Sequence, residues 1–449
     1  MKREDVRIQI PEKANFIIRT LEEAGYEAYV VGGCVRDSIL GREPQDWDIT
    51  TSAMPMQVKE LFRRTVDTGL QHGTVTVMQG DEGFEVTTYR IDGKYEDGRH
   101  PKDVTFTRNL EDDLLRRDFT INAMAYNDTN GLVDMYEGLE DIDRKIIRCV
   151  GKPKDRFSED ALRMLRAVRF SAQLGYDIEE NTRNAIKELA PNLEKISAER
   201  IHTELIKLLV SNNPMKLKDA YETGMTKVFL PEFDKAMETE QNHPHHCYSV
   251  GEHILHSIEF VPASAHLRLA MLFHDIGKPE TLRVDEEGIT HFHGHPQVSA
   301  DMAKKILRRL KLDNDTIDKV SRLSLYHDTG NGIDPTEKLV RRTINKIGED
   351  LFVDFLEVKK ADILAQSNYE REEKLANLDA WKQMYDTITQ KGQCVSLKTL
   401  NINGRDLIAL GIKPGPQLGE ILAKLLDEVL DEPEKNEFEY LKKRALEII

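Results

Sequence analysis

The sequence lacks the features that mark secreted and membrane proteins. Its four cysteines form no CxxC pair and lie far apart, as reduced thiols of a cytosolic protein do; they are Cys34, Cys149, Cys247 and Cys394. No apolar run approaches the roughly 18 residues that a membrane span needs. The first ten residues, MKREDVRIQI, are charged and contain no apolar signal core. We therefore expect a cytoplasmic protein with no membrane contact.

Acidic residues outnumber basic residues, although both kinds are common in the sequence. The 449 residues carry a net charge of −16, and 39% are hydrophobic and 32% charged, which suits a globular protein rich in helix. A chain with this net negative charge is not suited to non-specific binding of nucleic acid. A polyanionic substrate is not excluded, because the local charge of a site decides binding. Residues 142–175 carry nine Lys or Arg and four Asp or Glu. This segment either faces a phosphate backbone or is a solvated surface.

Strand and helix patterns are mixed only in the first third of the chain. Three segments predict strands, namely 28–32, 74–78 and 84–89, and 54–63 predicts a helix with Pro55 in its first turn. From about residue 155 the apolar spacing is helical almost throughout, with a break near 231–247 and a Gly/Pro stop at 411–416. At about 100–200 residues per domain we expect about two to four domains. The fold class is therefore α+β, with the strands in a small head.

A glycine pair comes directly after the first predicted strand. In VVGGCVRD, Gly32 and Gly33 would let the backbone approach phosphate oxygens and present N–H donors to them. Arg36 lies one turn into the next helix and could reach the same anion. Alone, such a pair is more often just a tight turn, so its meaning depends on the motifs that lie after it in the chain.

Two carboxylates come next, in the DWD segment. Asp46 and Asp48 would share one face of a strand, and a divalent cation would relieve their repulsion. Mg²⁺ prefers such oxygen ligands and shares them with substrate phosphates. The later strand can add Glu85 as a third carboxylate, so that two metals could activate a 3′-hydroxyl and stabilise a leaving pyrophosphate. The alternative for a bare DxD is a solvent-facing acidic turn.

The ordered set of motifs resembles the class II tRNA nucleotidyltransferase and bacterial poly(A) polymerase family. GGCVRD and DWD are followed by RRDFTINAMAYN (116–127) and EDALRMLRAVRF (159–170). The resemblance covers residues 25–210 and implies a mixed-sheet nucleotidyltransferase head followed by helical neck, body and tail. We accordingly divide the chain into a head at 1–150, a neck and body that bind nucleobase and RNA at 151–240, a metal-binding domain at 241–370, and a helical tail at 371–449.

The resemblance also assigns residues in the head. It implies that Asp46 and Asp48 hold Mg²⁺ and that Glu85 is the third acid. It implies that the nucleotide is bound by Gly32, Gly33, Arg36, Arg117 and Asn122, of which Asn122 fixes the sugar or the motif geometry.

The EDALR motif bears on which nucleotides are added. On one helix, Asp160 and Arg163 would share a face and could pair with the Watson–Crick edge of C or A while rejecting G and U. An ordinary ion pair between them is the alternative. Arg163, Arg166 and Arg169 recur every three residues as a basic stripe near that face, and we expect all three to bind nucleotide. CCA-adding members carry EDxxR, whereas poly(A) polymerases of the family generally differ there.

The segment 89–118 also favours CCA addition. It is rich in Gly and charge, predicts a mobile loop, and resembles the flexible loop that C-adding members need and A-adding members lack. His100 stands where an arginine is common, which is a departure from the pattern. We therefore expect full CCA addition rather than addition of A alone.

Eleven of the 14 histidines fall between His243 and His327. The ordered set resembles the HD phosphohydrolase superfamily, and it implies a site for a divalent or transition metal whose ligands are His253, His274, Asp275, His295, His327 and Asp362. The expected substrate is a phosphate or 2′,3′-cyclic phosphate on a damaged tRNA 3′ end. The alternative is a structural relic without activity. Five neighbouring histidines receive no role: His243, His245, His246, His291 and His293.

The expected function is addition of C, C and A to tRNA from CTP and ATP. The alternatives are a poly(A) polymerase, a metal-dependent phosphohydrolase whose head only binds RNA, and a non-catalytic RNA-binding module. The tail at 371–449 contains no motif, and we expect its helices either to hold tRNA or to form a homodimer.

Overall fold

The computed structural model describes residues 2–93 and 104–448. These residues form two compact units, Met1–Pro231 and Glu232–Ile449. No helix in the described part of the chain is both long and apolar enough to cross a membrane.

The first unit contains all the strands of the main sheet. Its strands are β1 (Ala28–Val31), β2 (Ile49–Thr51), β3 (Thr65–Gly69), β4 (Thr74–Gln79), β5 (Glu82–Thr88), β6 (Arg90–Asp92), β7 (Val104–Phe106), β8 (Met124–Asn127), β9 (Gly131–Asp134), β10 (Ile146–Ile147) and β11 (Asp177–Ile178). Its helices are α1 (Glu12–Glu23), α2 (Gly33–Ile39), α3 (Pro55–Leu61), α4 (Leu110–Leu115), α5 (Gly138–Arg144), α6 (Pro153–Glu159), α7 (Leu162–Leu174), α8 (Glu180–Leu189), α9 (Ala198–Leu209), α10 (Leu217–Glu222) and α11 (Thr226–Phe229).

A mixed sheet organises the head. Among the described residues it has seven strands in the order β3-β4-β5-β2-β1-β8-β9, with β2 and β5 parallel and the other neighbours antiparallel. Helices α1 and α3 pack against its strands. Val75 and Val77 of β4, with Phe84 and Val86 of β5, are buried, whereas Glu85 between the last two is exposed. Because side chains alternate along a strand, Glu85 lies on the face opposite to these apolar residues.

The second unit is helical apart from one short hairpin, β12 (Arg283–Val284) with β13 (Thr290–His291). Its helices are α12 (Pro231–Met237), which starts at the boundary, α13 (Val250–Glu259), α14 (Ala265–Phe273), α15 (Lys278–Thr281), α16 (His295–Arg309), α17 (Asn314–Tyr326), α18 (Glu337–Ile347), α19 (Phe352–Ala365), α20 (Arg371–Gln390), α21 (Gly404–Ala409), α22 (Pro416–Asp431) and α23 (Phe438–Ile448). Helices α13, α14, α16, α17 and α19 pack against one another. Near the C-terminus, α21, α22 and α23 enclose a separate apolar cluster around Leu407, Leu425 and Leu441.

The predicted α+β class is confirmed, and so are the three predicted strands and the helix that begins at Pro55. The predicted loop at 89–118 is wrong for its described ends: Arg90–Asp92 pairs with Val104–Phe106, and α4 comes after them. Its middle, with His100, lies outside the described residues. The division of the chain at residues 150, 240 and 370 stays a prediction.

Candidate functional sites

The glycine turn joins β1 to α2 in the head. Gly32 has φ of +83°, a conformation that residues with a Cβ rarely adopt. A Cβ at Gly32 would lie 3.1 Å from Nη1 of Arg117. The absence of a side chain at Gly32 therefore lets the Arg117 guanidinium approach the backbone of the turn, and Gly33 begins α2 directly after it.

The strand register places two of the predicted carboxylates side by side near this turn. Ile49 of β2 lies opposite Val86 of β5 in a parallel pair, which brings Asp48 alongside Glu85. The strand was predicted to include DWD, but β2 begins at Ile49. The segment before it is held by the Val31 N–H, which donates to the Asp48 carbonyl at 3.0 Å.

The charges around Asp48 fit a bound cation. Desolvation raises the pKa of the Asp48 carboxyl, and repulsion from Glu85 and Asp46 adds to this rise, while the attraction of Arg117 opposes it. Carboxylates that disfavour one another's charge are suitable oxygen ligands for Mg²⁺. The residues present therefore fit the expected ion.

Arg36 and Asn122, both predicted to bind nucleotide, contact each other. Nη1 of Arg36 donates to Oδ1 of Asn122 at 2.6 Å, and Nδ2 of Asn122 donates to Oδ1 of Asp118 at 3.1 Å. Oδ2 of Asp118 in turn accepts from Nε and Nη2 of Arg166 at 2.9 and 2.6 Å. A continuous chain of charge-assisted hydrogen bonds thus runs from the glycine turn to α7.

Arg117 is held from its other side by Asp113. Nη2 of Arg117 lies 3.3 Å from Oδ2 of this buried carboxylate, which also pairs with Arg116 at 2.7 Å. Burial would raise the pKa of Asp113, but the two arginines outweigh it and lower that pKa. Since Asp113 stays ionised, it fixes the Arg117 guanidinium between the glycine turn and the carboxylates.

The predicted base-reading pair does not lie on one continuous helix. Asp160 stands between α6 and α7, and its Oδ1 accepts from the N–H of Leu162 at 3.1 Å. Arg200 of α9 donates to both carboxylate oxygens of Asp160, at 2.7 and 3.3 Å. Arg163 pairs with Glu159 at 2.6 Å. No pattern in the sequence pointed to Arg200, which lies 40 residues farther along the chain.

The arginines of the predicted basic stripe on α7 form ion pairs with acidic residues of the protein itself. Their spacing in the sequence does not reveal these partners. Arg166 pairs with Asp118, and Arg169 pairs with Glu204 of α9 at 2.5 Å. The Arg169 guanidinium also stacks on the Phe170 ring, 3.8 Å from its centroid. Burial lowers the pKa of Arg169 to about 10 against the opposing attraction of Glu204. These arginines therefore stabilise the packing of α7.

In the second unit, five packed helices bring all six predicted ligands together. The six side chains are buried, and they form two groups whose ligand atoms lie within 4.8 Å of one another. The first metal group is His253, His274 and Asp362, and the second metal group is Asp275, His295 and His327. In the described part of the chain the head carboxylates form no group as tight as these.

Asp275 lies between the two groups. Its Oδ2 is 3.4 Å from Nε2 of His253 and 3.3 Å from Nε2 of His274. Its Oδ1 is 3.2 Å from Nε2 of His295 and 3.5 Å from Nε2 of His327. One carboxylate can therefore bridge two ions, one held by each group.

Backbone carbonyls orient the imidazole rings. Nδ1 of His274, His295 and His327 lies 2.7–2.8 Å from the carbonyl oxygens of Met271, Phe292 and Ser324. When each Nδ1 donates there, each Nε2 presents a bare lone pair. Nε2 atoms then face each other at 3.2 Å (His253 and His274) and 3.3 Å (His295 and His327), an arrangement that a cation relieves.

The electrostatics agree with a cation at this centre. Burial lowers the pKa of His274, but the carboxylates of Asp275 and Asp362 outweigh it and raise that pKa to about 10. Attraction from His274 and Lys278 holds the pKa of Asp275 well below its usual range, although burial alone would raise it. The set of imidazole and carboxylate donors fits a divalent or transition metal.

A cavity of about 660 Å³ is lined by four of the six predicted ligands, Asp275, His295, His327 and Asp362. Its walls include the five histidines left without a role and three lysines, Lys278, Lys359 and Lys374. Nζ of Lys278 lies 2.7 Å from Oδ2 of Asp275. Pockets of this size hold a small molecule or a single nucleotide, and the lysines would attract an anion. No lysine was predicted here, although Lys278 stands only three residues after Asp275.

Three family models match the chain. Residues 28–148 match the poly A polymerase head domain, and 175–237 match a probable RNA- and SrmB-binding site of polymerase A. Residues 280–445 match a family described as tRNA nucleotidyltransferase domain 2, putative. These ranges fall on both units.

Curated relatives and solved structures are similar over almost the whole chain. The chain is 36% identical to the CCA-adding enzyme of Pediococcus pentosaceus over 95% of both sequences, and 37% identical to that of Ligilactobacillus salivarius over 93% of the chain and 92% of the relative. It resembles the crystal structure of the Bacillus stearothermophilus CCA-adding enzyme in complex with CTP, with a TM-score of 0.70, 30% identity and 98% coverage of both chains. The Thermotoga maritima CCA-adding enzyme complexed with tRNA-CCA shares the fold, with a TM-score of 0.61 and 22% identity over 97% of this chain and 95% of that one.

Proposed function

Because the chain belongs to the family of CCA-adding enzymes, we propose that it adds C, C and A to the 3′ end of tRNA from CTP and ATP. The observation that supports this most strongly is the register of β2 and β5, which brings Asp48 beside Glu85 next to the glycine turn. A nucleotidyl transfer needs such a carboxylate group beside a site for the triphosphate.

The transfer joins the tRNA 3′ oxygen to the α-phosphate of the incoming nucleotide and releases pyrophosphate. Asp46, Asp48 and Glu85 would hold Mg²⁺, which when bound would lower the pKa of the 3′-hydroxyl and offset the charge of the leaving group. Arg117 would bind triphosphate oxygens next to Gly32, since its Nη1 already lies at that turn. No dedicated side-chain base is then required.

Nucleotide choice would depend on Asp160 and Arg163. Their polar groups could pair with the Watson–Crick edges of C and A, but Arg200 and Glu159 now occupy them. The incoming base would therefore exchange with these ion pairs rather than meet free side chains. Because such an exchange retains hydrogen bonds only for a base with the matching donors and acceptors, it favours discrimination.

The proposal is tested with tRNA that ends before CCA and with nucleotides supplied singly and together. CTP alone should add two residues, and ATP should then add one. Asp48→Ala should abolish incorporation, whereas Asp81→Ala, an exposed carboxylate at the β4–β5 turn, should not. A long A tail from ATP alone would favour the poly(A) polymerase instead.

We propose as a second activity that the metal groups of the second unit hydrolyse a phosphate or 2′,3′-cyclic phosphate at an RNA 3′ end. The supporting observation is the position of Asp275 between two sets of imidazole donors. Divalent ions there would supply a hydroxide nucleophile and polarise the phosphoester. Lys278, Lys359 and Lys374 line the same cavity and would offset the charge of the phosphate.

This second activity predicts phosphate release from 3′-phosphorylated RNA by metal-loaded protein. His274→Ala and Asp275→Ala should remove the release while CCA addition persists, and Asp48→Ala should have the reverse effect. Absence of hydrolysis with every divalent metal tried, or unchanged hydrolysis in both variants, would contradict it. Hydrolysis without any nucleotide incorporation by the parent would favour a head that only binds RNA.

A further inference from the structure

The two metal groups differ in the number of carboxylates that they contain. Oδ2 of Asp275 joins His253, His274 and Asp362, giving the first group two imidazoles and two carboxylates. The second group has two imidazoles but only the shared Asp275. If the two groups are alike, a second carboxylate, equivalent to Asp362, should lie beside the second group.

Asp328 stands in that place. Its Oδ2 lies 3.3 Å from Nε2 of His295, and its Oδ1 lies 3.6 Å from Nε2 of His327. Two atoms that each lie about 2.1 Å from one ion are about 3.0 Å apart at a right angle and about 3.4 Å apart at the tetrahedral angle. The separations of Asp328 lie close to this range, as do those of 3.0 and 3.7 Å that Asp362 makes in the first group.

Neighbouring side chains fix Asp328 in this position. Nδ2 of Asn331 donates to its Oδ1 at 2.8 Å, which leaves Oδ2 toward His295. Nζ of Lys359 donates to the carbonyl of Thr329 at 2.9 Å and to the side chain of Asn331. The turn after α17 is therefore tied to α19, as the supporting residues of a metal ligand commonly are.

We propose, on the basis of the metal centre proposed above, that Asp328 is the fourth protein ligand of the second metal site. Each site then has two histidines, one carboxylate of its own and one oxygen of Asp275. Asp328 lines the cavity, with its side chain 40% exposed, so an ion in the second group would be in reach of a substrate. Such a donor set suits a borderline or hard divalent ion such as Mn²⁺.

Mn²⁺ binding to the full chain tests this assignment. All proteins compared carry Asp48→Ala, so that ions in the head add little to the count. The parent should bind two Mn²⁺ ions whose electron paramagnetic resonance shows magnetic coupling. Adding Asp328→Ala should leave one tightly bound, uncoupled ion and weaken the second by at least about the 10–100-fold that loss of a supporting residue costs.

Two further variants control for fold and charge. Asp328→Asn keeps the shape of the side chain and should weaken the second ion less than Asp328→Ala. Asp334→Ala removes a carboxylate that lines the same cavity and should keep both ions. Two coupled ions of unchanged affinity in Asp328→Ala, or an equal loss in Asp334→Ala, would overturn the role of Asp328. A parent that binds no Mn²⁺ would instead overturn the metal centre itself.

Discussion

Replacing Asp118 by Asn removes the carboxylate that links Arg166 of α7 to Asn122 beside the glycine turn. Asp118 is 8% exposed, and it accepts from its neighbour's backbone N–H, from Asn122 and twice from Arg166. Asn keeps the shape but brings an amide N–H₂ and no charge. Among the described residues, the ion pair left to the guanidinium is then the longer one with Glu204, at 3.9 Å.

The cost can be sized from the burial of the two partners. Removing one member of a buried ion pair costs about 3–5 kcal/mol. The side chain of Arg166 is 34% exposed, and water can replace part of the lost interaction, so we expect a loss of about 2–3 kcal/mol. At about 2.1 cal/mol/K per residue for the 231 residues of the first unit, this lowers the melting temperature by about 5 °C.

The loss depends on pH in a defined direction. Burial would raise the pKa of Asp118, but Arg166 outweighs it and holds that pKa well below its usual range. In the unfolded chain the carboxyl titrates at about 3.9. The stabilisation is therefore complete above about pH 5 and is lost as the pH falls below about 4 toward the folded pKa. The Asn variant lacks this titration. The difference in free energy of unfolding between the parent and the variant should therefore become smaller in acid.

Calorimetric melting of the parent, Asp118→Asn and Asp177→Asn between about pH 3 and 8 measures this difference across the titration. Asp177 also has an ion pair, with Lys216 at 2.8 Å, but its side chain is 89% exposed, so its loss should cost less than about 1 kcal/mol. Two results would contradict the role assigned to the Asp118 carboxylate. One is an equal loss of stability from the two substitutions, and the other is a loss for Asp118→Asn that becomes larger in acid.

Two other predictions concern nucleotide binding. Asp160→Ala should remove discrimination of C and A from G and U more than it slows transfer, because the Arg200 contact is lost together with the reading group; unchanged nucleotide choice would contradict the template. Gly32→Ala should raise the KM for nucleotide, because its Cβ would displace Arg117, and the strained φ adds about 1–3 kcal/mol of destabilisation. Gly25→Ala has a similar φ of +87° but no atom within 4 Å of its Cβ, so it should destabilise without changing KM.

The sequence predicted local structure well where one pattern decides it. Alternation of Val and Thr predicted β4, and Pro55 marked the start of α3. The six metal-group residues were implied by the resemblance to the HD phosphohydrolase superfamily, and the structure brings them together although His253 and Asp362 are far apart in sequence. The predictions of β4 and α3 depend on residue type and spacing alone.

Contacts between distant residues could not be predicted in this way. Arg200 reaches Asp160, and Glu204 reaches Arg169, only because α9 packs against α7. The break between α6 and α7 at Asp160 was also missed, since the apolar period continues through it. Asp328 did have a signal, because it comes after His327 as Asp275 comes after His274, but only the distances separate it from other acids near the histidines.

The decisive measurement is sequencing of tRNA 3′ ends after incubation of a tRNA lacking CCA with the protein, Mg²⁺, CTP and ATP. We expect that nearly all extended molecules end in C, C, A with nothing beyond, and that Asp48→Ala yields no extension. Runs of A, addition of A alone, or extension that survives Asp48→Ala would contradict the proposed function.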